Sequence, residues 1–157
     1  MTRAELLSFM RSRPLVVASS LSPEGAPQAA MLGVAVNEQL ELVLDTVDSS
    51  RKYRNLQRDP RIALVFGAGG AYTAGAHDER TLQYEGVADF PEGEELRCVQ
   101  DEIYFHQFPD GRSRLAWKGI SYIRIRPNWL RYSDYNRNPP EILEFTGDSL
   151  RQLIASP

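Results

Sequence analysis

Leu42-Val43-Leu44-Asp45-Thr46-Val47-Asp48-Ser49-Ser50-Arg51-Lys52 is the stretch on which the fold turns. Leu40, Leu42 and Leu44 alternate with Glu41, Val43 and Asp45, which predicts a half-buried strand with period two. The apolar pattern then stops. Ser50-Arg51-Lys52 opens a short basic helix over residues 49–58, with Tyr53 and Leu56 on its inner side and Asp59-Pro60 as its stop. Two hydroxyl residues, two cations and a helix N-terminus converge at this junction, and that combination suits a bound phosphate. The net charge of the chain is -3, so the local cluster of Arg51, Lys52, Arg54 and Arg58 stands out against its background. The plainer reading of Ser50-Arg51-Lys52 alone is a capped surface helix with solvated charges.

Working upstream, residues 27–36 are nearly all apolar and read as a strand covered on both faces. Residues 15–21 form another β-rich run, and Ser22-Pro23-Glu24-Gly25 between them is turn chemistry. Thr2-Arg3-Ala4-Glu5 has capping-box spacing, and Leu6, Leu7 and Met10 follow at helical intervals, so residues 2–12 are expected to be an amphipathic helix. Downstream, residues 62–66 and 81–90 read as strands separated by a Gly- and Ala-rich connection over 67–77. A helix is expected from Pro91 to about Gln107 and a turn at Pro109-Asp110-Gly111. A long late strand bends at Pro127-Asn128, continues over 129–135, and is followed by a terminal helix over 148–154. Six or seven strands joined mostly by hairpin turns favour a mainly β (α+β) fold, an antiparallel barrel with flanking short helices. The Gly67-Ala68-Gly69-Gly70 tract lacks the strand–turn–helix context of a dinucleotide-binding motif.

With 157 residues and 42% hydrophobic content, the chain suits one domain over 1–157. No apolar run approaches the roughly 20 residues of a membrane span, and no secretory pattern opens the sequence. One cysteine, Cys98, excludes an internal disulfide framework and is expected to be a buried or half-buried structural thiol. The expected location is cytoplasmic. His77 and His106 lack ligand spacing, so no metal is expected. The mildly acidic balance argues against a dedicated nucleic-acid binder, and the Arg124/Arg126/Arg131 alternation reads as a solvated strand face. Trp117, Trp129, Tyr132 and Tyr135 read first as core and packing residues.

From about Leu15 to Tyr135 the order of these pieces resembles the FMN-binding split-barrel family of pyridoxamine 5′-phosphate oxidase-like proteins. The resemblance rests on Leu42-Val43-Leu44-Asp45-Thr46, on Ser50-Arg51-Lys52 and on Asp59-Pro60-Arg61-Ile62-Ala63-Leu64. It is extended by Arg80-Thr81-Leu82-Gln83-Tyr84-Glu85-Gly86-Val87-Ala88 and by Tyr104-Phe105-His106. It implies a six-stranded split barrel, a homodimer with FMN at the interface, and chemistry at flavin N5. Arg51 and Lys52 would grip the FMN phosphate, with Ser50, Thr46 and the adjoining Asp45 at the phosphate and ribityl end. The backbone of Ala30, Met31 and Leu32 would lie along the ring edge. Thr81 would approach the flavin, and Tyr132 would reach it from the other subunit.

The resemblance also exposes departures. The oxidases' substrate lysine aligns with Ala35 or a neighbour, the arginine after Tyr-Phe-His falls at Phe108, and a later serine falls at Arg112. Tyr104 survives from that set, and His106 is a second candidate for the pocket. An altered substrate pocket is therefore implied. Arg112, Arg114, Lys118 and Arg137 are candidates for an anionic small-molecule substrate or a nicotinamide donor. Four functions stay open: an FMN-dependent oxidoreductase, a non-catalytic flavin binder linked to stress, a deazaflavin-dependent reductase, and a haem-handling relative.

Overall fold

The computed structural model describes residues 1–67 and 78–156. Helix α1 (Arg3–Arg11) precedes β1 (Leu15–Leu21), β2 (Pro27–Gly33), β3 (Ala35–Val36) and β4 (Leu42–Val47). Next come α2 (Arg51–Arg58), β5 (Arg61–Phe66) and β6 (Arg80–Asp89). A helical stretch follows: α3 (Gly93–Cys98), a π-helical turn (Val99–Tyr104), α4 (Phe105–Gln107) and a 3-10 segment (Pro109–Ala116). The chain continues as β7 (Ile120–Asp134), β8 (Glu141–Thr146) and α5 (Gly147–Ala155).

All the strand pairs are antiparallel, in the order β2-β1-β5-β6-β7-β4-β3. Only Val34 separates β2 from β3, so the two ends of that sheet belong to one bent segment. Counted so, six strands among the described residues curl round into a barrel, in line with the split barrel that the family resemblance implies. β7 carries the split: one edge pairs with β6, while the other pairs with β4 over Ile120–Ile125 and with β8 over Trp129–Asp134. The change of partner falls at the expected Pro127-Asn128 bend, where β6 shifts register between Glu85 and Gly86. Proline has no N–H to lose from a ladder there. β8 is absent from the sequence reading: Glu141-Ile142-Leu143-Glu144-Phe145-Thr146 is short, and each of its apolar side chains stays partly or fully exposed.

The ring interior is filled by inward residues such as Leu64, Phe66, Leu82, Tyr84, Ile123 and Ile125. The capping box of Thr2 and Glu5 starts α1, which presses Leu6, Leu7, Phe9 and Met10 onto this core. A second, smaller cluster lies outside the ring, where Ala35, Val43 and Tyr122 meet Val99, Tyr104 and Phe105 of the helical stretch.

Two expectations about burial are reversed. β4 is buried on both faces rather than half-buried, because Val43 points out of the ring yet is covered by Tyr104 and its neighbours. Residues 27–36, expected to be covered on both faces, leave β2 largely exposed, Met31 to 72%. Leu40 sits outside β4 in the turn, at φ 61°, and plugs the core while its carbonyl accepts from Tyr84 Oη at 3.1 Å. Cys98 is exposed rather than buried, since it falls off the apolar stripe of α3. The expected turn at 109–111 is the start of the 3-10 segment. The 68–77 part of the glycine-rich connection, with His77, lies outside the described residues.

Asp78 fastens the start of β6. Its carboxylate accepts from Arg80 at 2.8 and 2.6 Å and also pairs with Arg13, which stacks on Phe9. The Arg80 hydrogen bonds, with Arg13 adding to them, hold this carboxyl well below the usual carboxylate range. A depressed folded-state value means that the stabilisation is complete above the unfolded value of about 3.9 and is lost as pH falls below it. Asp78→Asn is therefore expected to lower the urea midpoint at neutral pH and to flatten its fall on acidification. An unchanged acid limb in the variant would reject this.

Candidate functional site

At the end of β4, Thr46 turns toward the N-terminus of α2. Ser50 caps that helix, accepting from the Tyr53 amide at 3.3 Å. Its hydroxyl lies 3.0 Å from Thr46 Oγ1, which in turn accepts from Lys52 Nζ at 2.7 Å. Burial pushes the Lys52 ammonium down from its ordinary value, and Asp45 partly restores it. Arg51 is exposed beside them and makes no ion pair among the described residues. A cleft of about 180 Å³ opens here, lined by Ser50, Arg51 and Lys52 on one side. Ala18, Ser19 and Ser20 of β1, Gln28, Ala29 and Ala30 of β2 and Ile62 of β5 form the rest. No carboxylate is among these lining residues. Hydroxyls, cations and an apolar floor suit an anionic head on a largely uncharged body.

The sequence candidates divide around this cleft. Ala30, Ser50, Arg51 and Lys52 line it, and Thr46 is tied to it through Lys52 and Ser50. Met31 and Leu32 continue along β2: Met31 is exposed on the outer side, and Leu32 packs partly against the core. Thr81 pairs with Ser133 on β6 and does not line the cleft. Tyr132 is buried in the ring, edge-on to Phe9 at 5.5 Å, and does not line it either.

Asp45 faces away from its neighbour Thr46. It accepts from Arg114 Nε at 2.6 Å, and Arg114 Nη2 donates to Tyr104 Oη at 2.9 Å. Burial, and then Asp45, raise the Tyr104 phenol above its ordinary value. This second cluster ties β4 to the helical stretch, so Arg114 is engaged internally rather than free for a substrate. Arg112 pairs with Asp101 at 2.9 Å, and Arg137 pairs with Asp134 and Glu141. Lys118 is exposed. His106 is also exposed and lines a different cleft with Arg11, Glu38 and Glu102. Among the described residues no group of acidic, histidine or cysteine side chains could hold a metal, and no helix is long and apolar enough to cross a membrane.

Two polar residues escaped the sequence reading. Asn55, buried on α2, donates to Ser20 Oγ at 3.1 Å and to Gln28 Oε1 at 3.0 Å, which docks the helix over β1 and β2. Gln107 donates to the Val34 carbonyl at 3.1 Å and accepts from the Val36 amide at 3.3 Å, stitching the β2–β3 bend. The available signal for Asn55 was a poor helix former inside a short helix, beside Leu56. Gln107 carried none.

The profile of the pyridoxamine 5′-phosphate oxidase family matches residues 2–133. No curated protein matches the chain. Among solved structures, a heme binding protein from Mycobacterium smegmatis superposes with a TM-score of 0.76 at 21% identity, over 97% of this chain and 61% of that one. ChuZ from Campylobacter jejuni gives 0.75 at 18% identity, over 93% and 59% respectively. The chain thus spans about three-fifths of the length of these two. HutZ, the heme storage protein from Vibrio cholerae, gives 0.62 at 16% identity, over 82% of this chain and 92% of that one.

Proposed function

The chain belongs to the pyridoxamine 5′-phosphate oxidase family, and from that premise we propose that it is an FMN-binding flavoprotein oxidoreductase with an altered substrate pocket. The observation that carries this reading is the Thr46–Ser50–Lys52 cluster, with Arg51 unpaired among the described residues, at the mouth of an apolar cleft. A dianionic phosphate needs several donors and positive charge at once. Lys52 supplies a point charge, Arg51 a planar fork and α2 its free N–H groups. Ala29 and Ala30 of β2 line the cleft with small side chains, as a flat ring would require. Bound flavin would supply hydride chemistry at N5, while the chain's residues bind the phosphate and orient the ring. The pocket is altered in that the Tyr104 hydroxyl is taken by Arg114, itself bound to Asp45. The cytoplasmic location belongs to the same proposal.

A second copy of the chain completes the proposal. Leu15, Val17, Met31 and Val65 form an exposed apolar face on β1, β2 and β5. The same four residues line a groove of about 730 Å³. A homodimer across this face would cover it and close the flavin cleft. Met31→Glu would place a charge in that seam, and light scattering is expected to show a monomer. An unchanged dimer would remove this face from the interface.

The purified protein is expected to show the two visible bands of oxidised flavin and to bleach with NADH or NADPH, recovering in air. Retention of flavin without bleaching would mark a passive binder. The likeness to proteins named for heme favours one second reading, a haem-handling role, and a Soret band after haem addition with no uptake of FMN would establish it. Uptake of a deazaflavin instead of FMN would point to the remaining alternative, since both carry a phosphate.

A further inference from the structure

Asn55 is 4% exposed, and a buried amide is costly unless its hydrogen bonds are made. Both Nδ2 protons are used, on Ser20 Oγ and on Gln28 Oε1. The Gln28 carbonyl is thereby turned toward α2, and its Nε2 donates to no described side chain. Gln28 also lines the cleft, together with Ser50, Arg51 and Lys52. A lysine attracts an anion from any direction, whereas an amide N–H fixed at one place selects where the oxygen must sit.

We propose that Gln28 is a further binding residue of this cleft, donating from Nε2 to an oxygen of the ligand's phosphate, and that buried Asn55 is the positioning residue that sets its amide. This rests on the FMN reading above. It accounts for a polar pair being kept beneath α2 where apolar packing would have served to dock the helix. It also makes all the side-chain groups offered to the phosphate donors: hydroxyls, cations and one oriented amide.

The test compares FMN with riboflavin, which has the same ring and ribityl chain without the phosphate, each titrated by quenching of flavin fluorescence. Gln28→Ala is expected to weaken FMN binding about tenfold, as for one hydrogen bond to a charged group, and to change riboflavin binding less than about twofold on the same grounds. Asn55→Ala is expected to give a similar selective loss, and the double variant to lose no more than Gln28→Ala alone, because both act through one contact. Circular dichroism of each variant checks the fold. Should Asn55→Ala fail to fold, Gln28→Ala decides the matter by itself. Equal weakening of both flavins, or no weakening of either, overturns the proposal. If Arg51→Ala/Lys52→Ala loses FMN while Gln28→Ala does not, the FMN reading stands and the Gln28 assignment falls. A wild-type protein that takes up neither flavin removes both.

Discussion

Replacing Arg51 and Lys52 together by alanine is expected to abolish retention of FMN while leaving the chain folded. Each charge-assisted contact to a phosphate is worth roughly 1.5–3 kcal/mol, so losing two should raise the dissociation constant by about 10² to 10⁴. The fold should survive because neither side chain supports the core. Arg51 is exposed, and Lys52 Nζ donates to Thr46 Oγ1 at 2.7 Å. Removing a half-buried ammonium also relieves its burial cost. Equilibrium dialysis against FMN, with circular dichroism as a control, measures both halves. A double variant that keeps wild-type affinity would show that the phosphate does not sit at α2.

The second large effect is one of stability. Gly86 lies inside the ring at the register shift of β6, opposite Pro127. A methyl group added there would stand 2.5 Å from the Arg126 carbonyl oxygen and 2.7 Å from Ile125 Cγ2. The first is backbone, held by the β6–β7 ladder, and cannot swing aside as a flexible side chain would. Gly86→Ala is therefore expected to cost about 3 kcal/mol, the upper end of ordinary overpacking, read as a lowered urea midpoint with an unchanged slope. A Gly86→Ala protein as stable as wild type would mean that the bulge relaxes.

The ring of strands and the side-chain cluster at the start of α2 were legible because their signals are local. Ser50-Arg51-Lys52 follows a strand directly, so the side chains that meet are neighbours in sequence. The bend at Pro127-Asn128 and the capping box at Thr2 are equally short-range. What failed was the exposure of whole faces. Alternation along Leu42–Val47 predicts one wet side, yet helices more than fifty residues later cover Val43. The apolar run at 27–36 predicts cover on both sides, whereas the single chain leaves Met31 open. Periodicity states which side chains share a face, not what arrives to cover it. The Arg114–Asp45–Tyr104 cluster was beyond reach for the same reason: its partners are 69 and 10 residues apart in the chain. Asn55 offers only a weak cue, a poor helix former inside a short helix.

Asp45 and Thr46 stand back to back, one joined to the helical stretch and the other to the cleft beside α2. Strand alternation admits nothing between these two orientations, so inserting or deleting one residue in β4 would exchange their surroundings in a single step. A carboxylate would then stand beside Ser50 and Lys52, and of its counter-charges Arg114 would keep only the 3.9 Å contact to the exposed Asp110. Divergence can proceed by swapping side chains at either post, but the length of this strand is locked, because both clusters take their bearings from the same pleat.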